Sequence, residues 1–387
     1  MNPLVLVILD GAADKGKKTP LSTAKKPNLD FLASHAYCGL WNGAKAPKSY
    51  NPRSMSDVAT LEILGYTYKD NPGRGFLEAL GAGLKPKKNA IYIRGNFATV
   101  DKSLRIVDRR AGREELGLHK LSRALWMKID DIDIKCYRSI GHRCIIVLEG
   151  KGLSVDVTDS DIKREKPAKI KPTSKRGEKT ASILNEFSER AYKILSKSPI
   201  NKKRDIPANY ILLRGAGKMK KIKSLKKKFN FDACSVAGHV IIKGISKYLG
   251  IANINVKGAN ACLNTNLSGK VYATLKALKK YNFVLLHING CDKAGHDRNF
   301  ELKKEFIEKI DKIVFSKLRE IEKINIIVTS DHRTPVSTGE HEFGAVPLLI
   351  YSSEKNITND IKKFDEINCK KGFRTDSIIG TALKILK

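Results

Sequence analysis

Residues 4–11 read LVLVILDG, an unbroken run of aliphatic side chains that ends at Asp10 and Gly11. A short run of this kind is typical of a strand buried on both faces of a parallel sheet, and it lacks the basic flank of a signal peptide. Similar runs follow at Phe283–Ile288, Ile324–Val328 and Val346–Tyr351. Charged stretches with helical periodicity lie between them, so the pattern predicts an α/β fold with a mostly parallel sheet flanked by helices.

The middle of the chain has a different pattern. Two strand-like segments, 89–100 and 104–109, flank a turn, and further strands are predicted at 144–148 and 210–213, with an amphipathic helix at 180–197. The basic segments 163–179 and 218–228 are predicted to be solvated loops. We therefore expect a discontinuous α/β domain, residues 1–87 and 226–387, interrupted by a smaller α+β domain, residues 88–225.

The 387 residues include 73 basic and 40 acidic side chains, which gives a formal net charge of +33. Such a surface attracts anions, either phosphorylated metabolites or nucleic acid, although neither an RNA-binding aromatic pattern nor a zinc-finger spacing is present. The seven cysteines are scattered and never form a CxxC pair, which favours reduced thiols in a cytoplasmic protein. No apolar stretch is long enough to span a membrane.

Three predicted strands end in a carboxylate: Asp10, Asp292 and Asp331. In open α/β sheets the ligand crevice lies at the carboxyl ends of the strands, so these acids are expected to converge there. Like charges brought together in a crevice repel one another and resist desolvation. A divalent cation would resolve that conflict, whereas a single strand-end aspartate is equally often a helix cap or a turn residue.

Three histidines stand near these acids. Asp292 and His296 are four residues apart, so one helical turn can direct both at one ion. Asp331 and His332 are adjacent and can share a site only if the chain turns between them, while His341 follows a loop that could bring it back. Each pair alone is weak evidence, but carboxylates mixed with imidazoles suit manganese, zinc or cobalt better than calcium.

Ser56 stands where a loop leads into a short helix, within the sequence NPRSMSDVATLEILGY of residues 51–66. A serine at that position is an ordinary helix N-cap. The same geometry also suits a nucleophile, because the helix dipole and the free N–H groups favour an alkoxide and a phosphate. The local sequence leaves both interpretations open.

Taken together, these motifs resemble the alkaline phosphatase superfamily, and most closely its archaeal-type cofactor-independent phosphoglycerate mutases. The resemblance extends from Val5 to about Ile350 and includes residues 10–11, 19–21, 23–30, 56–57, 63–66, 73–75, 81–83, 96–101, 108–113, 213–217, 292–297 and 330–332, with His341. It implies an alkaline-phosphatase-like fold with an inserted cap domain. It also implies that 3-phosphoglycerate and 2-phosphoglycerate are interconverted, in glycolysis and gluconeogenesis, through a phosphoserine and without 2,3-bisphosphoglycerate.

Carried over residue by residue, the resemblance implies two divalent metal ions, manganese or alternatively zinc, cobalt or magnesium. One site would use Asp292, His296 and His341, and the other Asp10, Asp331, His332 and the oxygen of Ser56, which would be the catalytic nucleophile. The chain departs from the family pattern at Met55, at Thr60, where a histidine is usual, and at Glu342, Gly344 and Ala345. The Thr60 change puts an auxiliary hydrogen bond in doubt but removes no ligand.

A mutase must also hold the glycerate and exclude water, and arginine binds a carboxylate through its planar fork. The candidate substrate-binding residues are Arg74, Arg109, Arg110, Arg113, His142, Arg143 and Arg214. All of them except Arg74, which is near the junction, lie in the inserted segment, which suggests a cap that closes over the substrate. Two alternatives stay open: a metal-dependent phosphatase or phosphosugar mutase of the same superfamily, and a degenerate nucleic-acid-binding relative. The partner expected is a small phosphoglycerate, with no membrane and no nucleic acid.

Overall fold

The computed structural model describes residues 2–45, 55–162 and 164–387. The loop predicted for residues 51–54 and the basic residue Lys163 lie outside this range. Two compact units divide the chain, Met1–Asn71 with Ile222–Lys387 and, between them, Pro72–Lys221. The division falls at residue 72 and not at the predicted 88, because the helix formed by Arg74–Gly81 packs on the strands of the second unit.

The regular elements are numbered in chain order. The strands are β1 Leu4–Leu9, β2 Ala36–Trp41, β3 Ala90–Val100, β4 Ile106–Asp108, β5 Met127–Ile129, β6 Ile132–Arg138, β7 Arg143–Glu149, β8 Tyr210–Lys218, β9 Ala233–Val236, β10 Ala252–Ile254, β11 Phe283–Ile288, β12 Asn325–Thr329, β13 Val346–Ser352 and β14 Phe373–Thr375. The helices are α1 Pro20–Thr23, α2 Pro27–Ser34, α3 Met55–Ile63, α4 Arg74–Gly81, α5 Leu118–Ala124, α6 Glu178–Lys197, α7 Leu225–Phe229, α8 Val240–Tyr248, α9 Leu267–Ala277, α10 Gly290–His296, α11 Phe300–Ile310, α12 Ser316–Leu318, α13 Glu366–Cys369 and α14 Ile378–Leu386.

The first unit is built on one sheet. Within the described residues, eight strands pair in the order β10-β9-β11-β1-β12-β13-β2-β14. The strand β1 lies between β11 and β12 and runs parallel to both, and its six side chains are almost completely buried. This burial explains its unbroken aliphatic sequence, since both of its faces are covered. The three strands that deliver Asp10, Asp292 and Asp331 are therefore neighbours.

One predicted strand direction was wrong. The strand β13 runs antiparallel to β12 and to β2, so this part of the sheet is mixed. Four strands of the sheet, β2, β9, β10 and β14, were not predicted, because they are short or contain cysteine, serine and glycine among their apolar residues. The basic segment predicted as a loop contains the short helix α7, whose first turn Ser224 caps by accepting from the Lys227 N–H.

The second unit carries the other sheet. Its described strands pair antiparallel in the order β4-β3-β7-β6-β5, and β8 pairs antiparallel with residues 91–98 of β3, nearly the same stretch that pairs with β7. The odd-numbered side chains Ile91, Ile93 and Phe97 face a core that includes Leu184 and Phe187 of α6. The helix α4 packs against β3 and β8. Among the described residues, no helix combines the length and the apolar character needed to cross a membrane.

Candidate active site

The first carboxylate follows β1 directly. The Asp10 N–H donates to the Ile288 carbonyl at 2.9 Å, which fixes the end of β1 against β11. The Asn289 amide donates to Asp10 Oδ2, and the Asp10 side chain is buried. The next residue, Gly11, has a φ of +62° and donates its N–H to Asp331 Oδ1 at 3.1 Å. The turn after β1 is thus tied to the turn after β12.

The second carboxylate lies in the first turn of α10. His296, one helical turn later, places Nε2 3.5 Å from Asp292 Oδ2, and the His341 Nε2 lies 3.2 Å from Asp292 Oδ1. The two imidazole Nε2 atoms are 3.1 Å apart. The His296 Nδ1 donates to the Gly339 carbonyl at 2.7 Å, so Nε2 is the ring nitrogen that faces this group. Burial alone would raise the pKa of Asp292, but the neighbouring imidazoles hold it well below its usual value.

The third carboxylate shares a turn with its neighbouring histidine. The Ser330 hydroxyl lies 2.8 Å from both the Leu9 and the His332 carbonyl oxygens, so the chain turns after β12 and both side chains face one site. The His332 Nε2 is 3.4 Å from Asp10 Oδ1 and 3.4 Å from Asp331 Oδ2. Within the described residues no hydrogen-bond donor reaches Asp331 Oδ2, and burial raises the pKa of this carboxyl to about 7. A buried carboxylate oxygen in this condition calls for a cation.

Ser56 lies in the first turn of α3, one residue inside the helix and not at its cap. Its Oγ is buried and lies 3.2 Å from His332 Nε2. The hydroxyl therefore reaches the imidazole that also approaches Asp10 and Asp331. A capping role does not account for this position.

The described residues contain three groups whose ligand atoms lie within 4.8 Å of one another: Asp292, His296 and His341; Asp10, Asp292 and His332; and Asp10, His287 and Asp331. The first group is the first predicted set. The second and third groups together contain the remaining predicted carboxylates and His332, and they overlap at Asp10. These residues fit divalent ions for three reasons. Imidazole nitrogens face one another, one Asp331 oxygen receives no hydrogen bond, and several buried carboxylates lie close together.

The sequence did not predict a role for His287. Its side chain is fully buried in β11, with Nδ1 3.2 Å from Asn289 Oδ1 and Nε2 3.7 Å from Asp10 Oδ2. Burial lowers the pKa of His287 to about 3, so the ring is neutral. A histidine inside an aliphatic run is normally a core residue. The sequence feature that could have indicated a role in the site was its position one residue before the end of a strand that leads to Asp292.

Two further residues hold the ligand-bearing turns together. The Thr334 hydroxyl donates to Asp292 Oδ1 at 2.8 Å. The buried Lys303 amine lies 2.9 Å from both Asp14 Oδ2 and the Thr334 carbonyl, so α11 is joined to the turns that follow β1 and β12. A lysine in an amphipathic helix is ordinarily exposed, and its sequence alone gave no sign of this contact.

Thr60 stands at one of the positions where the sequence departs from the pattern of the family that it resembles. Its side chain is completely buried, and its hydroxyl has no hydrogen-bond partner among the described residues. The threonine therefore does not replace the auxiliary hydrogen bond with one of its own. Glu342, another position that departs from that pattern, places Oε2 3.5 Å from the Lys15 amine.

Gly11→Ala is expected to lower the free energy of unfolding by about 3 kcal/mol, because an added Cβ meets both steric and backbone strain. It would lie 2.6 Å from Thr334 Oγ1 and 2.8 Å from the Asp292 Cα. Urea denaturation measures the change. Gly83→Ala is the matched control, since Gly83 also has a positive φ, +91°, but no atom lies within 4 Å of its added Cβ. Equal destabilisation of the two variants would contradict the clash at Gly11.

The six predicted arginines lie in the second unit, and three of them, Arg74, Arg143 and Arg214, surround one carboxylate. Glu78 of α4 is completely buried and accepts from Arg74 Nε at 3.0 Å and from Arg94 Nη1 at 2.9 Å. Burial alone would raise the pKa of Glu78, but Arg94, Arg74, Arg143 and Arg214 together lower it to about 2. Neither Glu78 nor Arg94 was predicted from the sequence.

The remaining predicted residues are His142 and the arginines of the loop after β4. Burial, and then the charges of Arg143, Arg94, Arg110 and Arg113, lower the pKa of His142 to about 3. Arg109 is already paired with Asp161, with Nη1 2.6 Å from Oδ1. His142 thus lies close enough to several arginines for their charges to lower its pKa. Arg109 forms an ion pair within the second unit.

The second unit is expected to lose stability in acid because of Glu78. Its pKa is about 2 in the folded chain and about 4.5 ordinarily, so the carboxylate stabilises the fold above pH 4.5 and this contribution is lost as the pH falls towards 2. The loss amounts to about 3 kcal/mol. Urea denaturation between pH 5 and pH 2 measures it, and Glu78→Gln should lack this part of the pH dependence. An unchanged pH dependence in that variant would contradict the assignment.

Comparisons with known proteins agree on one family. A family model described as 2,3-bisphosphoglycerate-independent phosphoglycerate mutase matches residues 33–201. The protein of that name from Methanococcus maripaludis is 39% identical over 382 residues, which cover 95% of this chain and 93% of the relative. A solved protein of Pyrococcus horikoshii is 30% identical with a TM-score of 0.81, and the match covers 100% of this chain and 97% of that one. The cofactor-independent phosphoglycerate mutase of Thermoplasma acidophilum is 30% identical with a TM-score of 0.67, and both chains are covered completely.

Proposed function

The chain belongs to the family of 2,3-bisphosphoglycerate-independent phosphoglycerate mutases, and we propose that it interconverts 3-phosphoglycerate and 2-phosphoglycerate through a phosphorylated Ser56. The reaction is a step of glycolysis and gluconeogenesis and takes no phosphoryl group from 2,3-bisphosphoglycerate. One observation carries the proposal. The Ser56 hydroxyl lies 3.2 Å from His332 Nε2, inside a group of carboxylates and imidazoles suited to divalent ions.

Two divalent ions would be held by the first unit. Asp292, His296 and His341 would hold one, and Asp10, Asp331 and His332 the other, together with the Ser56 oxygen. Imidazoles mixed with carboxylates, and no thiolate, favour manganese, zinc or cobalt. When bound, the ions would supply Lewis-acid stabilisation of the serine oxygen and of the transferring phosphoryl group. His287, with Nε2 3.7 Å from Asp10 Oδ2, would support the second set from behind.

The chain's own residues account for the two transfers. The Ser56 hydroxyl loses its proton as its oxygen attacks phosphorus, the Oγ–P bond forms, and the bond to the glycerate 3-oxygen breaks, so that the released oxygen takes up a proton. The bound glycerate then turns and its 2-hydroxyl loses a proton as it attacks the phosphoserine, which releases the Ser56 oxygen. Because Ser56 is buried, water has little access to the intermediate, which would otherwise be hydrolysed.

The second unit would be an inserted cap that binds the glycerate, and the first unit an alkaline-phosphatase-like domain. The arrangement of arginines supports this division, since Arg74, Arg143 and Arg214 all act on the buried Glu78 and exceed its charge. Planar guanidinium groups bind a carboxylate through two parallel hydrogen bonds. Arg110, Arg113 and His142 would add to the same anion-binding surface, because Arg110 and Arg113 lie close enough to His142 to lower its pKa.

The test combines metal analysis with two assays. Purified protein is stripped with a chelator, reloaded with manganese, and assayed for 2-phosphoglycerate formation through a coupled enolase reaction. We expect activity to vanish on chelation, to return with manganese, and to exceed the hydrolysis of p-nitrophenyl phosphate by at least about 100-fold. Rapid ester hydrolysis without mutase turnover would show instead that the chain is a phosphatase.

A further inference from the structure

One face of the sheet in the second unit carries an unusual row of charges. Arg94 in the middle of β3 lies directly opposite Arg214 of β8, and Asn96, two residues along, lies opposite Arg143 of β7. Residues opposite one another on antiparallel strands point to the same side, so the three arginines and Asn96 share a face. Glu78 reaches this face from α4, since it accepts from Arg94.

The charges on this face do not balance. Like charges directly opposite one another on paired strands are destabilising, and burial strengthens the repulsion. Burial, together with the other arginines, lowers the pKa of Arg94, Arg143 and Arg214. Glu78 is one carboxylate among four arginines. Asp159 and Asp161 also act on Arg214, and Asp161 is already paired with Arg109, so the arginines still outnumber the carboxylates. An excess of buried positive charge therefore remains.

Several buried polar atoms on this face also lack a hydrogen bond. Within the part of the chain that the structure describes, Arg94 Nε, Arg214 Nε and Asn96 Oδ1 are buried and have no hydrogen-bond partner. Only 3% of the Arg94 side chain is exposed, so bulk water does not form hydrogen bonds with it. Unsatisfied buried guanidinium donors are costly, which indicates that a ligand completes them. An anion with at least two acceptor oxygens, such as a carboxylate, satisfies both the charge and the donors.

We propose that Arg94 is a further substrate-binding residue, which binds the carboxylate of the phosphoglycerate, and that Glu78 is the positioning residue that orients Arg94 and Arg74. The inference rests on the proposed mutase function. A carboxylate is the group required, because in the proposed reaction Ser56 receives the phosphoryl group, which leaves the carboxylate as the substrate's other anionic group. Glu78 Oε1 accepts from both guanidiniums, at 2.9 and 3.0 Å, so it fixes two planar forks that would otherwise repel each other.

Discrimination between two phosphate esters tests this role. The protein is mixed either with 3-phosphoglycerate or with glycerol 3-phosphate, which lacks the carboxylate. Rapid quenching and intact-mass measurement then give the rate at which Ser56 is phosphorylated by each ester. The wild-type protein should prefer the first ester. Arg94→Lys keeps the charge but loses the fork, and Glu78→Gln keeps the shape but loses the charge. Both should lower the ratio of the two specificity constants at least about tenfold while leaving transfer from glycerol 3-phosphate within about threefold.

Arg190→Lys is the matched control, since Arg190 lies exposed on α6 and pairs only with Glu186 among the described residues. It should leave the ratio unchanged. A purely structural role for Arg94 or Glu78 would lower both specificity constants together and would overturn the proposal, as would an unchanged ratio in both variants. Hydrogen exchange of the wild-type protein requires no variant: saturating D-glycerate should slow exchange in β3 and β8, and no protection there would also contradict the inference. If the wild-type protein does not phosphorylate Ser56 at all, the proposed mutase function itself is wrong.

Discussion

Ser56→Ala is expected to lower phosphoglycerate mutase activity by about 10⁴-fold or more and to abolish the phosphoprotein. The hydroxyl oxygen is the protein atom that the proposed mechanism phosphorylates, and alanine leaves no atom that can take its place. The substitution removes one buried oxygen whose contact is His332 Nε2, at 3.2 Å, so the fold and the carboxylate–imidazole group should persist. Coupled assay, intact-mass measurement after quenching and metal analysis provide the three readouts.

Ser377→Ala separates catalysis from helix capping. Ser377 caps α14 by accepting from the Gly380 N–H, which is the role that the local sequence also allowed for Ser56. Loss of that cap should cost about 1 kcal/mol of stability and no activity. If Ser56→Ala behaves like this control, with a small loss of stability and full turnover, Ser56 is not the nucleophile.

The sequence predicted the parts of the fold whose physical causes are local. Strands β1, β11 and β12 are covered on both faces, so they must be aliphatic throughout, and the end of each run locates its carboxylate. The antiparallel direction of β13 could not be predicted, because its buried run, VPLLIYS, satisfies either direction equally well. The boundary at residue 72 depends on what α4 packs against, which is a tertiary contact.

The residues of the candidate site were likewise predictable only where the cause of their position is local. Asp292 and His296 were predictable because helical periodicity alone places them on one side of α10. Glu78 was not, because a glutamate in a short helix is ordinarily exposed, and only its burial against Arg94 distinguishes it. The choice between cap and nucleophile at Ser56 likewise required His332, which is 276 residues distant in sequence.

Asp292→Asn is expected to lower mutase activity by about 10³-fold and to reduce the manganese content of the purified protein. Asp292 Oδ1 lies 3.2 Å from His341 Nε2 and accepts from the Thr334 hydroxyl at 2.8 Å. Asparagine can keep the hydrogen bond from Thr334 through its amide oxygen, so the turn should survive. The negative charge that would hold a cation between the imidazoles is lost, and that charge is the basis of the proposed site.

Asp297→Asn is the matched control, because Asp297 follows directly after α10, is exposed and forms an ion pair with Lys293. It should leave activity within about twofold and metal content unchanged, since an exposed ion pair contributes little. Metal analysis after gel filtration and a manganese titration of activity distinguish the two variants. A thermal unfolding midpoint that rises on adding manganese to the wild type, but not to Asp292→Asn, would show that this carboxylate binds the ion. Full metal content and normal turnover in Asp292→Asn would refute the role assigned to it, because the remaining imidazoles would then suffice to hold the ion.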